Sequence, residues 1–225
     1  METFKAEGIV VRAIPYRNDD CILTLFTPLQ GLIPLFLRGG YKSKKHAGSG
    51  ALSPLSVVEI IYTRGRGELY PCQEIAVVRH HLELRKNLAV LESACRMLQM
   101  VATTQQPEKP ASELYQLLLF YLSKLPDLSS PGILESSFFL KLLRYEGIFP
   151  LLSHCSICSM LLQDTWIHAN EPFCLPHAPP NALHLSAEER YIVESLAYCR
   201  DFKQLSSLAL SPLLSQKIMG LQPLP

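Results

Sequence analysis

Four residues in the last third of the chain have types and spacing suited to chemistry: Cys155, Cys158, Cys174 and His177. They read C-x2-C-x15-C-x2-H, two short ligand pairs joined by a loop. Each x2 turn brings two soft donors to one side of a small ion, which is how a tetrahedral zinc site is assembled. Core thiols beside a loop histidine are the plainer alternative, but two correctly spaced pairs in one window favour metal. His154, His168 and His184 lie near enough in sequence to replace one of the four. With four protein donors no position is left for a reacting water, so the predicted Zn2+ is structural and not catalytic. The predicted knuckle covers about residues 153–178, with Trp166, Pro172 and Phe173 between the ligand pairs. It is too small to be a domain and has to lean on neighbouring helices.

A second set of chemical residues lies near the front. Gly39 to Gly50 carries Lys42, Lys44, Lys45, His46 and Tyr41 on a glycine-rich stretch. Ammonium groups on flexible stems follow a phosphate backbone, and an aromatic face stacks a base. Arg38, Arg64 and Arg66 extend the patch if the two loops share one face of the fold. An ordinary solvated loop is the bland alternative. The stretch contains no G-x-x-x-x-G-K-[ST] and no G-x-G-x-x-G opening a helix, so ATP binding is rejected.

The elements that must position these groups divide into two regions, making an α+β fold. Gly8–Ile14, Cys21–Thr27, Leu32–Arg38, Leu55–Tyr62 and Glu68–Val78 are β-branched or alternating runs separated by turn residues. Asn18-Asp19-Asp20 and Pro28-Leu-Gln-Gly31 mark two of those turns, and Arg64-Gly-Arg-Gly67 the last. Five short strands with no helix between them predict an OB-fold barrel over residues 1–79, with an SH3-like barrel as rival. From residue 80 to 225 the period becomes helical. Leu84, Leu88, Leu91, Cys95 and Leu98 predict one apolar face. Ser112 is expected to cap a helix with Leu114, Leu117, Leu118, Tyr121 and Leu122 inward. Ser130-Pro131 opens another, with Phe138, Phe139, Leu142 and Leu143 facing the core and Gly147 and Pro150 ending it. Ser186-Ala-Glu-Glu189 is a capping box, with Ile192, Val193 and Leu196 inward. A last helical segment, 205–219, is interrupted by Pro212.

Composition bounds the function. The chain has 225 residues, is 48% hydrophobic and carries a formal net charge of +1, so it is no basic tail. Residues 1–80 hold ten Lys and Arg against seven Asp and Glu, whereas the rest hold eleven against thirteen. Excess positive charge is therefore at the front. Seven cysteines, a polar amino terminus and no long apolar run predict a reduced, cytoplasmic protein without membrane contact. No catalytic constellation is visible. Glu188 and Glu189 are adjacent at a helix start, Asp19 and Asp20 belong to a turn, and no serine lies in a nucleophile elbow. The reading is a binding protein, not an enzyme.

In order and spacing, these pieces resemble the RecO family of bacterial recombination mediators. The residues that carry the likeness are Gly8-Ile-Val-Val11, Asn18-Asp-Asp20, Thr24-Leu-Phe-Thr27, Gly31, and Arg38-Gly39 with the Lys-Ser-Lys stretch. Leu52-Ser-Pro-Leu55, Glu59, Arg64-Gly-Arg-Gly-Glu-Leu69, Leu142-Leu-Arg-Tyr-Glu-Gly147 and Cys155-Ser-Ile-Cys158 continue it. The resemblance implies an OB-fold domain, a helical bundle and a zinc knuckle. It also implies binding of single- and double-stranded DNA and annealing of complementary strands. RecR and the acidic tail of single-strand-binding protein are the implied partners in loading RecA on coated DNA. Arg190, Arg200, Lys203 and Lys217 are the cations expected to accept that tail. Glu171-Pro-Phe173 stands where the family commonly has a glycine pair, and His177 stands in place of a fourth cysteine. The competing reading, of another class, is a zinc-stabilised protein-interaction adaptor whose barrel binds a peptide.

Overall fold

The computed structural model describes residues 2–17, 19–40, 52–65 and 67–221. They form two compact units, Met1–Asp127 and Leu128–Pro225. The first unit is built on β1 (Thr3–Tyr16), β2 (Asp20–Thr27), β3 (Gly31–Leu37), β4 (Val57–Thr63) and β5 (Tyr70–Arg79). Side chains alternate strictly along β3, with Gly31, Ile33, Leu35 and Leu37 buried and the residues between half-buried. That period of two puts one face of each strand into a shared core with Val10, Leu23, Leu25, Val58, Ile60 and Tyr62.

The strands close into a barrel in the order β1-β2-β3-β5-β4. Strand β1 is longer than the predicted Gly8–Ile14 because it serves two neighbours. Its first half pairs with β4 (Thr3↔Thr63) and its second with β2 (Tyr16↔Asp20), and a bulge between Val10 and Arg12 turns it from one to the other. Closure comes from the short parallel pairing of Leu35–Leu37 in β3 with Tyr70–Cys72 in β5. This five-stranded arrangement is the OB barrel and removes the SH3-like alternative.

Two helices belong to the same unit: α1 (Leu88–Thr104) and α2 (Ser112–Lys124). The predicted face of the first is corrected. Leu82–Lys86 forms a 3-10 turn, Asn87 is extended, and its Oδ1 accepts hydrogen bonds from the amides of Ala89 and Val90. This cap starts the helix at Leu88, and the face packed inward is Val90, Ala94, Met97, Leu98 and Val101. Leu88 and Cys95 are consequently exposed, while Leu84 is buried from the 3-10 turn. Ser112 does not cap α2. Ala111 holds that position, and the Ser112 hydroxyl donates to the Pro28 carbonyl instead.

The second unit is organised on α3 (Gly132–Tyr145), with α4 (Ala187–Tyr198), α5 (Phe202–Ser207) and α6 (Pro212–Met219) around it. Phe138, Phe139, Leu142 and Leu143 are buried, and so are Ile133, Leu134 and Leu140 on other sides, so α3 is enclosed instead of one-faced. Ser186 and Glu189 form the capping box of α4. Pro212 is the first residue of α6, where its missing amide hydrogen costs nothing. The carboxyl end of α4 is held by α3: Ser137 donates to the Leu196 carbonyl, Arg144 to that of Ala197 and Lys141 to that of Cys199. Two of these donors are cations at a negative helix end. No described helix is long and apolar enough to cross a membrane.

Candidate metal centre and barrel cations

Between α3 and α4 the chain makes a small sheet of β6 (Thr165–His168), β7 (Glu171–Phe173) and β8 (Leu183–Leu185), in the order β7-β6-β8. The β6–β7 hairpin turns on Ala169 and Asn170, both left-handed at φ 48 and 61. Two such residues make the tight turn that suits the strand twist. Sequence reasoning missed these strands. Their signals were Thr165-Trp-Ile167 and Asn170, too short a run for a period to show. Outside these strands, Cys155, Leu162 and Cys174 form a small buried cluster of their own.

The structure brings Cys155, Cys158, Cys174 and His177 together, with one donor atom from each and all four within 4.8 Å of one another. The first turn is set by the Ser159 amide donating to the Cys155 carbonyl, and Ser159 is left-handed at φ 57. The second is set by the His177 amide donating to the Cys174 carbonyl. The bond from the Ser156 amide to the Pro172 carbonyl ties the two turns side by side. Cys158 and Cys174 Sγ are 3.8 Å apart, and His177 Nδ1 lies 3.7 Å from Cys155 Sγ and 3.1 Å from Cys174 Sγ.

Burial works against a thiolate at Cys155. The amides of Cys158, Cys174 and Ile157, with His177, donate to it and hold it at about 5. The Cys174 thiol moves up, through burial and the two neighbouring sulfurs. A low-lying thiolate among soft donors is a group that could hold a metal ion. The three alternative histidines stand elsewhere: His154 Nδ1 is 3.0 Å from Ser153 Oγ, His168 is exposed, and His184 lies against Trp166 with Nε2 3.3 Å from Asp164.

Of the predicted DNA-contacting cations, Lys42, Lys44, Lys45 and Arg66 lie outside the described residues. Arg38 is exposed in the turn after β3, a turn fixed by the Gly39 amide donating 2.8 Å to Asp20 Oδ1. Arg64 follows β4 and is engaged. Its Nη2 is 2.9 Å from Glu108 Oε1, and its Cζ lies 5.6 Å from the ring centres of Phe4 and Tyr70. In the second unit Lys217 donates to both oxygens of Glu189 at 2.7 Å, and Arg190 donates to the Leu162 carbonyl. Arg200 and Lys203 are exposed.

Fold and site together define a class: an OB-barrel protein with a helical second unit that carries a Cys/His cluster. Comparison narrows it. The model of the "Recombination protein O N terminal" family matches residues 1–81, and that of "Recombination protein O C terminal" matches residues 85–219. This chain belongs to the RecO family. It is 28% identical over 216 residues to the DNA repair protein RecO of Chlamydia pneumoniae, covering 95% of this chain and 85% of that one. It is 27% identical over 208 residues to the protein of that name from Chlamydia trachomatis serovar D, covering 92% and 85%. With that of Anaeromyxobacter dehalogenans strain 2CP-C it shares 30% over 159 residues, 70% of this chain and 62% of the relative.

Proposed function

We propose that this chain is a DNA repair and recombination mediator. It binds single- and double-stranded DNA, anneals complementary strands, and with RecR helps to load RecA on DNA coated with single-strand-binding protein. The carrying observation is the family match, which runs through both units from residue 1 to residue 219. An OB barrel with cations at its loops is a suitable frame for a nucleic-acid strand. Arg38, Lys42, Lys44, Lys45, Arg64 and Arg66 are the proposed contacts. Annealing in this reading needs no nucleotide hydrolysis. A surface that holds two strands raises their local concentration and offsets phosphate repulsion, and base pairing supplies the driving force. Arg200 and Lys203 are the better placed acceptors for the acidic tail of single-strand-binding protein, because Lys217 and Arg190 are engaged internally.

The proposed ion at the Cys/His cluster is zinc, in a structural role. A tetrahedral ion with zinc–sulfur bonds of about 2.3 Å sets sulfurs about 3.8 Å apart and a sulfur about 3.6 Å from an imidazole nitrogen. The Cys158–Cys174 separation of 3.8 Å and the Cys155–His177 separation of 3.7 Å fit that geometry, whereas His177 Nδ1 at 3.1 Å from Cys174 Sγ lies closer than it. Cys155, Cys158 and Cys174 would supply thiolates and His177 its Nδ1, and the ion would supply the cohesion that a small core lacks.

Binding of labelled single-stranded DNA across salt concentrations tests the reading. Each phosphate contact contributes about 0.7 to the slope of log affinity against log salt. Replacing Lys42, Lys44 and Lys45 with alanine is expected to weaken binding and flatten the slope. Unchanged affinity and slope would make the loop a solvated surface only. One observation favours the adaptor reading: a groove of about 470 Å³ on the barrel, with Leu32, Ile33, Leu69 and Pro107 in its walls beside the Arg64–Glu108 pair. Salt-insensitive binding of a peptide in place of DNA would select it.

A further inference from the structure

Arg64 is held in a way that does not suit a permanent structural cation. The Glu108 carboxylate takes one hydrogen bond from Arg64 Nη2 at 2.9 Å and one from the Tyr70 hydroxyl at 3.1 Å, both on Oε1. Arg64 Nε is buried, and no described protein group pairs with it. That burial closes the Nε edge to a phosphate, so the exposed part of the guanidinium, which gives the carboxylate a bond through Nη2, is what a phosphate would take.

Glu108 itself is left-handed at φ 62, a conformation that a non-glycine residue keeps only where its surroundings impose it. Those surroundings are visible. The Glu108 amide donates to the Gln30 carbonyl and the Ala111 amide to the Pro28 carbonyl, each at 2.9 Å, and Pro107 bridges to Gly31 and Leu32. The segment between α1 and α2 is therefore tied to the β2–β3 turn, and it carries a carboxylate to the cation. Both side chains reach solvent, Arg64 at 37% and Glu108 at 62% exposure, so the pair is within reach of a ligand.

We propose that Glu108 holds on Arg64 the place of a DNA phosphate, and that strand binding exchanges the carboxylate for the phosphate. The proposal rests on the barrel being the DNA-binding surface. A solvent-exposed pair of this kind is weak enough to exchange, contributing no more than about fivefold to an equilibrium. The phosphate contact releases counterions whether or not Glu108 is present, because one freed surface carboxylate does not condense a cation as a strand does, so the exchange acts on affinity more than on the salt slope.

The test is titration of labelled oligothymidine with the full chain and with Glu108→Gln, Arg64→Ala and the double variant, over a range of salt. Glu108→Gln is expected to bind about two- to fivefold more tightly near about 0.1 M salt. Its salt slope is expected to stay close to that of the wild type, because the same phosphate is neutralised, whereas Arg64→Ala should flatten it by about 0.7. The gain in affinity should vanish in the Arg64→Ala background. An equal gain in that background would show a general effect of net charge and overturn the exchange. Wild-type binding that Glu108→Gln leaves unchanged overturns it as well, with the DNA reading intact. Absence of salt-dependent binding in the wild type defeats both. Thermal melts accompany each variant. If Glu108→Gln loses the fold, Tyr70→Phe removes the second donor to the carboxylate and should give a smaller gain of the same sign; no gain there counts against the exchange.

Discussion

Cys155, Cys158, Cys174 and His177 each bring one donor to the cluster, so removing any one leaves a three-donor remnant. The proposed zinc, held by all four, would contribute folding free energy as well as charge balance. Cys158→Ser is therefore expected to reduce metal from about one equivalent per chain to little or none by elemental analysis. A variant retaining full stoichiometry would show that another residue supplies the fourth ligand. Lys141 gives a residue-scale prediction of a different kind. Burial beneath the α4 end pulls its ammonium down to about 8, against help from Cys199 and with further lowering by Arg144 and Arg200. The folded group loses its proton near 8 and the unfolded one near about 10.4. Between those values the unfolded state binds more protons, so stability from this group rises with pH. Urea midpoints of the wild type relative to Lys141→Met should therefore increase from pH 8 toward pH 10. A flat difference would mean that the buried charge carries no penalty.

At the scale of elements, the β2–β3 turn is where barrel and helices meet inside the first unit. Gly31 is left-handed at φ 59, and a Cβ there would lie 2.4 Å from the Gln106 carbonyl oxygen and 2.6 Å from that of Lys109. Both neighbours are backbone and cannot swing away. Gly31→Ala is expected to destabilise by about 2–4 kcal/mol through backbone strain and overpacking together. Gly39→Ala, also left-handed but with no described residue within 4 Å of the added Cβ, should cost only about 1 kcal/mol. Equal losses in chemical denaturation would remove the packing argument. The cap of α1 is a smaller lever. Asn87→Ala leaves two amides without their acceptor and should cost about 1 kcal/mol.

The whole molecule has two compact units, and the single tryptophan of the sequence, Trp166, lies in the second, on β6 beside the Cys/His cluster. Its fluorescence therefore reports the second unit alone. A strong chelator is expected to change Trp166 emission and lower the melting temperature read there. Amide exchange of β2 and β3 in the barrel should stay protected under the same conditions. Loss of protection in both units together would show that metal binding supports the entire chain.

The sequence by itself determined what local chemistry dictates. Two x2 pairs in one window picked out the four residues, because soft donors so closely spaced can reach one small ion, with His154, His168 and His184 left open as replacements. Alternation and turn residues placed five strands, and Ser186 with Glu189 placed the start of α4. What needed the tertiary structure was every feature decided by a distant partner. Strand β1 runs past its predicted ends because β2 and β4 pair with different halves of it. Leu88 and Cys95 face outward because the helix packs on its Val90, Ala94, Met97, Leu98 and Val101 side, a choice that the apolar spacing alone left open. Ser112 gave up its cap for the Pro28 carbonyl, 84 positions away. The sequence offered Arg64 as a cation of the DNA-contacting patch, and only the fold shows that the segment between α1 and α2 delivers Glu108 to it. Local periodicity fixes which residues can share a face, and only packing against remote segments decides which face is covered and which charge is already answered.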